Sequence, residues 1–148
     1  MDDRPCAHLS WREVNCRDGT PYPTKWHNTR LIALTEMFES FREYVGNKPL
    51  IIGSCYRTPS WNRKQGGAPQ SQHVQGKAID IHCPSGIPLN EFHSMAKSFA
   101  QSNLIEIVGG LGWYEWGVHM DVRTRRKHRM AFWNKAPMGT LLHDIRNA

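Results

Sequence analysis

Two stretches of the chain hold the residue types from which a metal site is made. In SQHVQGKAID (71–80), His73 and Asp80 stand seven positions apart with Gly76 between them. Downstream, WGVHMDV (116–122) places His119 two residues before Asp121. On a strand, successive side chains point to opposite faces. Read that way, Trp116, Val118, Met120 and Val122 form an apolar face, while Gly117, His119 and Asp121 form the other, with Glu115 in phase at the turn. The stretch KAIDIH (77–82) divides likewise: Ile79 and Ile81 on one side, Ala78, Asp80 and His82 on the other. Two neighbouring strands of this kind would bring His119 and Asp80 within reach of one ion. His73, on the loop before Gly76, would fold over as a third ligand. Imidazole and carboxylate suit zinc, and three protein ligands with a fourth position open to water is the catalytic layout. The remaining histidines His8, His27, His93, His128 and His143 read as ordinary hydrogen-bonded surface or core residues. The spacing of Cys6, His8 and Cys16 matches no closed zinc site.

The elements that must position these groups follow from periodicity and punctuation. Residues 1–27 are rich in Pro, Gly and polar residues and read as an irregular arm wrapping the domain. A helix is expected over NTRLIALTEMFESFREYVG, with Asn28 as N-cap, Leu31, Leu34, Met37, Phe38, Phe41 and Val45 at helical spacing, and Gly46 ending it. KPLIIGSCY reads as a short buried strand. Residues 57–76 show no apolar period and read as a long loop, which in a compact domain is usually functional. Then follow strand 77–82, a helix over 89–102 burying Leu89, Phe92, Met95, Ala96 and Phe99, and a strand LIEIVG (104–109). GLGWYEWGVHMDVR reads as a hairpin turning near Glu115 to Gly117, and the tail from Phe132 as irregular with a short helix near its end. This order predicts one α+β domain over 1–148: a small, mostly antiparallel sheet with helices packed on one face.

Composition narrows the setting. The chain has 148 residues, 39% hydrophobic and 22% charged, as expected of a soluble domain able to bury a core unaided. No apolar run approaches the roughly 18 residues of a membrane span. The start, MDDRPCAHLSWREVNC, lacks the apolar stretch of a Sec-type signal, so synthesis in a cytoplasm is expected. Four dispersed cysteines without a CxxC pair point to reduced thiols. Much of the net charge of +6 sits in RTRRKHR (123–129), a solvated loop or an attraction for a polyanion such as nucleic acid or an anionic wall. No helix carries these basic residues and no nucleic-acid-binding motif accompanies them, so specific nucleic-acid recognition is not expected.

The signature SxHxxGxAxD is met position for position by SQHVQGKAID, and in this the chain resembles the zinc D-Ala-D-Ala carboxypeptidase and dipeptidase family. Relatives include phage endolysins that cut peptidoglycan stem peptides, and the hedgehog signalling domain shares the fold. SCYRTPSWNRKQGGAPQSQH resembles the family's strand end and loop before the first ligand. GGLGWYEWGVHMDVR resembles its closing hairpin, in the subgroup with HxD. The resemblance covers most of the chain. It implies a hedgehog-type fold and one Zn2+ per chain on His73, Asp80 and His119. Ser71 matches the signature serine, with a hydrogen bond to substrate or to a neighbour of the metal. Arg57 matches the arginine that steadies the substrate carbonyl and its developing oxyanion. Gly76 would permit the turn and Ala78 would leave room beside the metal.

For the proton acceptor the resemblance leaves two acids. Many relatives carry a glutamate three positions before the last histidine, where this chain has Trp116. Glu115, four before, has the reach of a turn residue; Asp121 shares the face of His119 and is preferred on that phase. The implied activity is zinc-dependent hydrolysis of a peptide bond in peptidoglycan stem peptides, as a carboxypeptidase or an endolysin-type endopeptidase. Zinc would lower the pKa of a bound water toward about 7. Trp61, Trp113, Tyr114 and Trp116 are candidates to line the cleft. The alternative is a non-catalytic zinc-binding cell-wall or virion module of the same fold. The expected setting is a monomer that acts on the wall after release, or is virion-associated.

Overall fold

The computed structural model describes residues 3–102 and 106–136. The arm is less irregular than its composition suggests. Ser10 caps a one-turn helix α1 (Trp11–Val14): its hydroxyl accepts the Glu13 amide at 3.1 Å while the Glu13 carboxylate accepts the Ser10 amide at 2.8 Å. This reciprocal pair satisfies two N–H groups that a helix start leaves open. A 3-10 turn follows at Thr24–Trp26. Val14, Cys16 and Tyr22 of the arm are buried. The Tyr22 hydroxyl donates to the Gly76 carbonyl at 2.6 Å, so the arm pins the loop that carries His73.

Helix α2 (Arg30–Tyr44) buries Leu31, Leu34, Met37, Phe38 and Phe41, as their spacing predicts. It starts later than expected. Thr29, not Asn28, holds the N-cap position, and no side chain caps it, because the 3-10 turn feeds residues 27–29 into the helix through backbone bonds instead. Gly46, at φ +94°, ends the helix. The stretch 57–76 is not a plain loop: it contains α3 (Pro59–Lys64). Thr58 accepts the Trp61 amide at 3.2 Å, and Pro59 occupies the first helical position, where its missing N–H costs nothing. A helix this short with a polar buried residue, Asn62, shows no apolar period to read.

Five strands, β1 (Ile52–Ser54), β2 (Ala78–His82), β3 (Gly110–Tyr114), β4 (Gly117–Asp121) and β5 (Ala131–Asn134), form one sheet in the order β1-β2-β4-β3-β5. Every neighbouring pair is antiparallel except β3 and β5. Two strand expectations are corrected. Of the strand expected over 104–109, Leu104 and Ile105 lie outside the described residues and 106–109 lie outside any strand, so that β3 begins at Gly110. The tail from Phe132 was expected to be irregular, but Ala131–Asn134 pair with the free edge of β3. The helix expected near the C-terminus lies outside the described residues. On one face of the sheet Ile79, Ile81, Leu111, Val118 and Met120 are fully buried. Phe92, Ala96 and Phe99 of α4 (Leu89–Ser102) belong to the same core, and Phe41 of α2 packs 5.7 Å from Phe92 and 5.3 Å from Phe99. The opposite face is left free for polar side chains.

The basic run occupies the connection from β4 to β5, and two of its arginines are structural. Arg125 donates to the carbonyls of Val108 and Ala100, at 2.9 and 3.0 Å. Arg123 is bound to Asp121. All four cysteines are free. Among the described residues no helix is long and apolar enough to cross a membrane.

Candidate metal centre

Strand register places the polar groups in a single row across the sheet. Ser54 on β1 pairs with Asp80 on β2, Asp80 with His119 on β4, His119 with Gly112 on β3, and Gly112 with Trp133 on β5. The next row sets Ala78 against Asp121 and Asp121 against Gly110. Glycine is required in both rows. A Cβ at Gly112 would lie 2.3 Å from Trp133 Nε1, and one at Gly110 would lie 2.4 Å from the Asp121 carboxylate. The floor beneath the polar groups is therefore backbone.

His73 reaches this row from the loop. A turn through Gly76, at φ +69°, returns the chain to β2, and Tyr22 and Trp26 crowd the space a side chain there would need. The imidazole Nδ1 lies 2.6 Å from the Cys55 carbonyl, which can only accept, so the proton sits on Nδ1 and the lone pair on Nε2. Nε2 in turn lies 3.1 Å from Asp80 Oδ1. His119 is oriented the other way round. Its Nε2–H donates to Asp121 Oδ2 at 2.7 Å, which leaves the Nδ1 lone pair facing Asp80 Oδ1 at 3.3 Å. Three acceptors, His73 Nε2, Asp80 Oδ1 and His119 Nδ1, thus converge within 4.8 Å with both ring protons committed elsewhere. Such a set calls for a cation, and its two imidazoles and one carboxylate fit zinc. The outer partners, a backbone carbonyl for His73 and a carboxylate for His119, are what a metal-ligating histidine needs to hold its tautomer.

Electrostatics draw positive charge into the same space, as a proton or as a cation. Burial opposes charge on Asp80, but the imidazoles of His73 and His119 outweigh it and hold the carboxyl below its usual range. Burial opposes protonation of His119, and hydrogen bonds to Asp121 and Asp80 overcome it, so its pKa is raised. Asp121 is 0% exposed. Burial works against its ionisation too, yet the bonds from His119 and Arg123 bring it down to about 2.

Arg57 stands beside the triad. Its Nε donates to Ser54 Oγ at 3.0 Å and its Nη1 to Asn62 Oδ1 at 3.2 Å, while Nη2 faces Asp80 Oδ2 at 3.6 Å. Ser71 Oγ accepts the His73 amide at 3.2 Å, tightening the turn that carries the ligand. Both residues line a cleft of about 610 Å³ over the three metal-facing groups, together with Tyr114, Trp116 and Trp133. Trp61 lines an adjoining cavity. Trp113 does not reach either: it turns to the core side and stacks on His93 at 4.9 Å, because alternation along β3 gives the cleft face to Gly112.

The two candidate proton acceptors sit differently. Asp121 shares the His119 face, as strand phase requires, but its carboxylate accepts from His119, from Arg123 Nε and Nη2, and from the Arg123 amide. Glu115 is exposed at the β3–β4 turn, between the cleft-lining Tyr114 and Trp116. Arg123 and Trp133 were not singled out from the sequence. Arg123 was visible as a residue two after Asp121 on the same strand face, while Trp133 sat in a segment read as irregular. Cys6, His8 and Cys16 do not gather: His8 Nδ1 pairs with Glu39 at 2.7 Å, and Cys16 Sγ lies against Thr58. His73, Asp80 and His119 are the one group of metal-binding geometry among the described residues.

A family model described as Peptidase M15 matches residues 7–121. The chain is also similar to the zinc D-Ala-D-Ala carboxypeptidase of Streptomyces albus G, with 27% identity over 112 residues. That alignment takes in 73% of this chain and 42% of the relative, so the chain spans less than half the length of the curated protein it matches.

Proposed function

This chain belongs to the peptidase M15 family, and from that premise we propose that it hydrolyses a peptide bond in peptidoglycan stem peptides, using one zinc ion on His73, Asp80 and His119. The observation that carries the reading is the convergence of three possible ligand atoms, one each from His73, Asp80 and His119, within 4.8 Å in the cleft. Zinc bound there supplies Lewis acidity, polarising a carbonyl and acidifying water.

The chain's own residues do the rest. The Cys55 carbonyl and Asp121 fix the two imidazoles. Arg57, braced by Ser54 and Asn62, donates to the scissile carbonyl oxygen as negative charge develops on it; one such donor is typically worth roughly 3 to 4 kcal/mol. Asp121 is spent on His119 and Arg123, so in this reading it orients the ligand, and Glu115 on the exposed turn accepts the proton. Ser71 steadies the His73 turn, and Tyr114, Trp116 and Trp133 form the wall against which the peptide lies. The name of the Streptomyces albus G relative supports a D-Ala-containing substrate. The charge of +6 supports an endolysin-type role on an anionic wall.

Purified peptidoglycan digested with the zinc-loaded protein and read by mass spectrometry tests this. New peptide termini should appear, vanish with a chelator and return with zinc, and His119→Ala should lose both zinc and cleavage. A wild-type protein that binds zinc and wall yet leaves every bond intact would refute the reading in favour of a non-catalytic module.

A further inference from the structure

Beyond Arg123, the basic run between β4 and β5 has no part in the metal site. Its tip is a tight turn: the Arg129 amide donates to the Arg126 carbonyl at 2.9 Å. The two residues between, Lys127 and His128, stand at φ +51° and +63°. A turn with both central residues left-handed usually takes glycine, asparagine or aspartate there. This chain instead keeps two cationic-type side chains at the strained positions, and Arg126, Lys127, His128 and Arg129 are all exposed. Such backbone persists where its surroundings hold it. Here Arg125 ties the base of the turn to the carbonyls of Val108 and Ala100, bonds that fix its guanidinium without neutralising it.

The charge of the turn is nearly uncompensated. Glu106 lies 3.3 Å from His128 Nδ1, and among the described residues no carboxylate pairs with Arg125, Arg126, Lys127 or Arg129. Two hollows of about 520 and 430 Å³ are lined in part by the turn, and neither lining contains an acid. The first is lined by Arg126, Lys127 and Arg129 and also by Arg123, which the metal cleft shares. The second adds Lys97 of α4, whose Nζ lies 4.6 Å from the ring centroid of exposed Phe132. A continuous cationic surface thus begins at the edge of the metal cleft and runs over the turn to α4.

We propose that this surface docks a phosphodiester polymer of the cell wall, of glycerol-phosphate type, and so holds the protein beside its substrate. Clustered like charges repel one another, and a ligand with a negative charge on every repeat relieves them. Guanidinium forks match phosphate oxygens, and lysine adds a point charge. Stem peptides suit the surface less, because they carry ammonium groups beside their carboxylates. Nucleic acid offers the same phosphates, but its bases find no free ring to stack on. Phe132, the one aromatic in these linings, has Lys97 over it and Trp113 against it at 5.0 Å. The docking adds to the peptidase reading and does not depend on the metal.

The test is binding of soluble poly(glycerol phosphate) to the full zinc-loaded chain, read by calorimetry between about 50 and 200 mM salt. The turn variant Arg126→Gln/Lys127→Gln/Arg129→Gln is compared with Lys25→Gln/Lys48→Gln/Lys64→Gln, which removes the same charge from exposed sites elsewhere. Wild type should bind, more weakly as salt rises. The turn variant should lose about tenfold in affinity. Its slope of log K against log salt should shrink by about two, at roughly 0.7 per phosphate contact. The control variant should stay within about twofold of wild type, since distant exposed charges are screened. Arg126→Lys/Arg129→Lys, which keeps the charge, should keep most of the binding. Equal losses in the turn variant and the control, with zinc content and circular dichroism intact, would reduce the effect to net charge and overturn the proposal. So would a wild type that binds poly-glutamate as well as the phosphate polymer, or a single-stranded oligonucleotide more tightly. If turn-dependent binding is found while no wall peptide is cleaved, the peptidase reading fails and the docking site stands. If the wall is cleaved but the polymer is not bound, the peptidase stands and the docking site fails.

Discussion

Replacing Asp121 with asparagine changes one oxygen into an amide nitrogen and almost no volume, so its effect is electrostatic. In the native arrangement the carboxylate accepts four bonds, from His119 Nε2, from Arg123 Nε and Nη2, and from the Arg123 amide. An asparagine there has one acceptor oxygen and must turn its NH2 toward a donor. Either His119 Nε2–H or Arg123 loses its partner, and His119 is freed to rotate or to move its proton to the metal-facing Nδ1. Loss of such an outer partner weakens metal binding by about 10- to 100-fold, or about 1.4 to 2.8 kcal/mol. Leaving Arg123 beside a neutral amide should cost the metal-free fold a further few kcal/mol. Zinc affinity measured by chelator competition, denaturant unfolding with and without zinc, and kcat at saturating zinc together read these terms. The expected result is weaker zinc, lower stability and a rate that largely returns once the site is saturated. A variant that keeps its zinc affinity within about twofold and loses the 10²- to 10⁴-fold typical of a missing general base would refute this and return Asp121 to the role of proton acceptor.

Three further outcomes follow from other parts of the structure. Glu115→Gln should keep zinc and fold while turnover falls by about 10²-fold or more, measured on the same peptidoglycan digest; full activity would remove Glu115 from the mechanism. Gly112→Ala should push Trp133 off the sheet, because its Cβ would meet the indole at 2.3 Å, costing roughly 1 to 3 kcal/mol by thermal unfolding and raising KM as the cleft wall moves. Burial pushes the Cys55 thiol up from 9.0 to about 12, and Cys6 is likewise pushed up to about 12, by burial and by Glu39. Folded values above the unfolded ones mean that the native state holds neutral thiols, so this stability is whole below about pH 9. It drains away as pH rises toward 12, by up to about 1.4 kcal/mol per pH unit for each thiol. Chemical unfolding at pH 8 to 11 checks it, and Cys55→Ala should flatten the fall.

What the sequence determined by itself was whatever depends on local period. Alternation along 77–82 and 116–122 assigned Asp80 and His119 to polar faces and the isoleucines and valines to the core. Helical spacing likewise placed α4 at its observed Leu89–Ser102. Strand phase says which face a side chain takes, because that follows from backbone geometry alone. It does not say what the side chain meets there. That Asp80 faces the second ring nitrogen of His119 depends on β2 pairing with β4, two segments far apart in the chain. The tautomer of His73 is set by the Cys55 carbonyl, which only the packing of β1 brings to 2.6 Å. Non-local pairing also decided the unread parts. Trp133 joined the site because β5 adds to an open sheet edge. No periodicity in 131–134 announces this role, since the forces that place Trp133 act between elements and not along the chain.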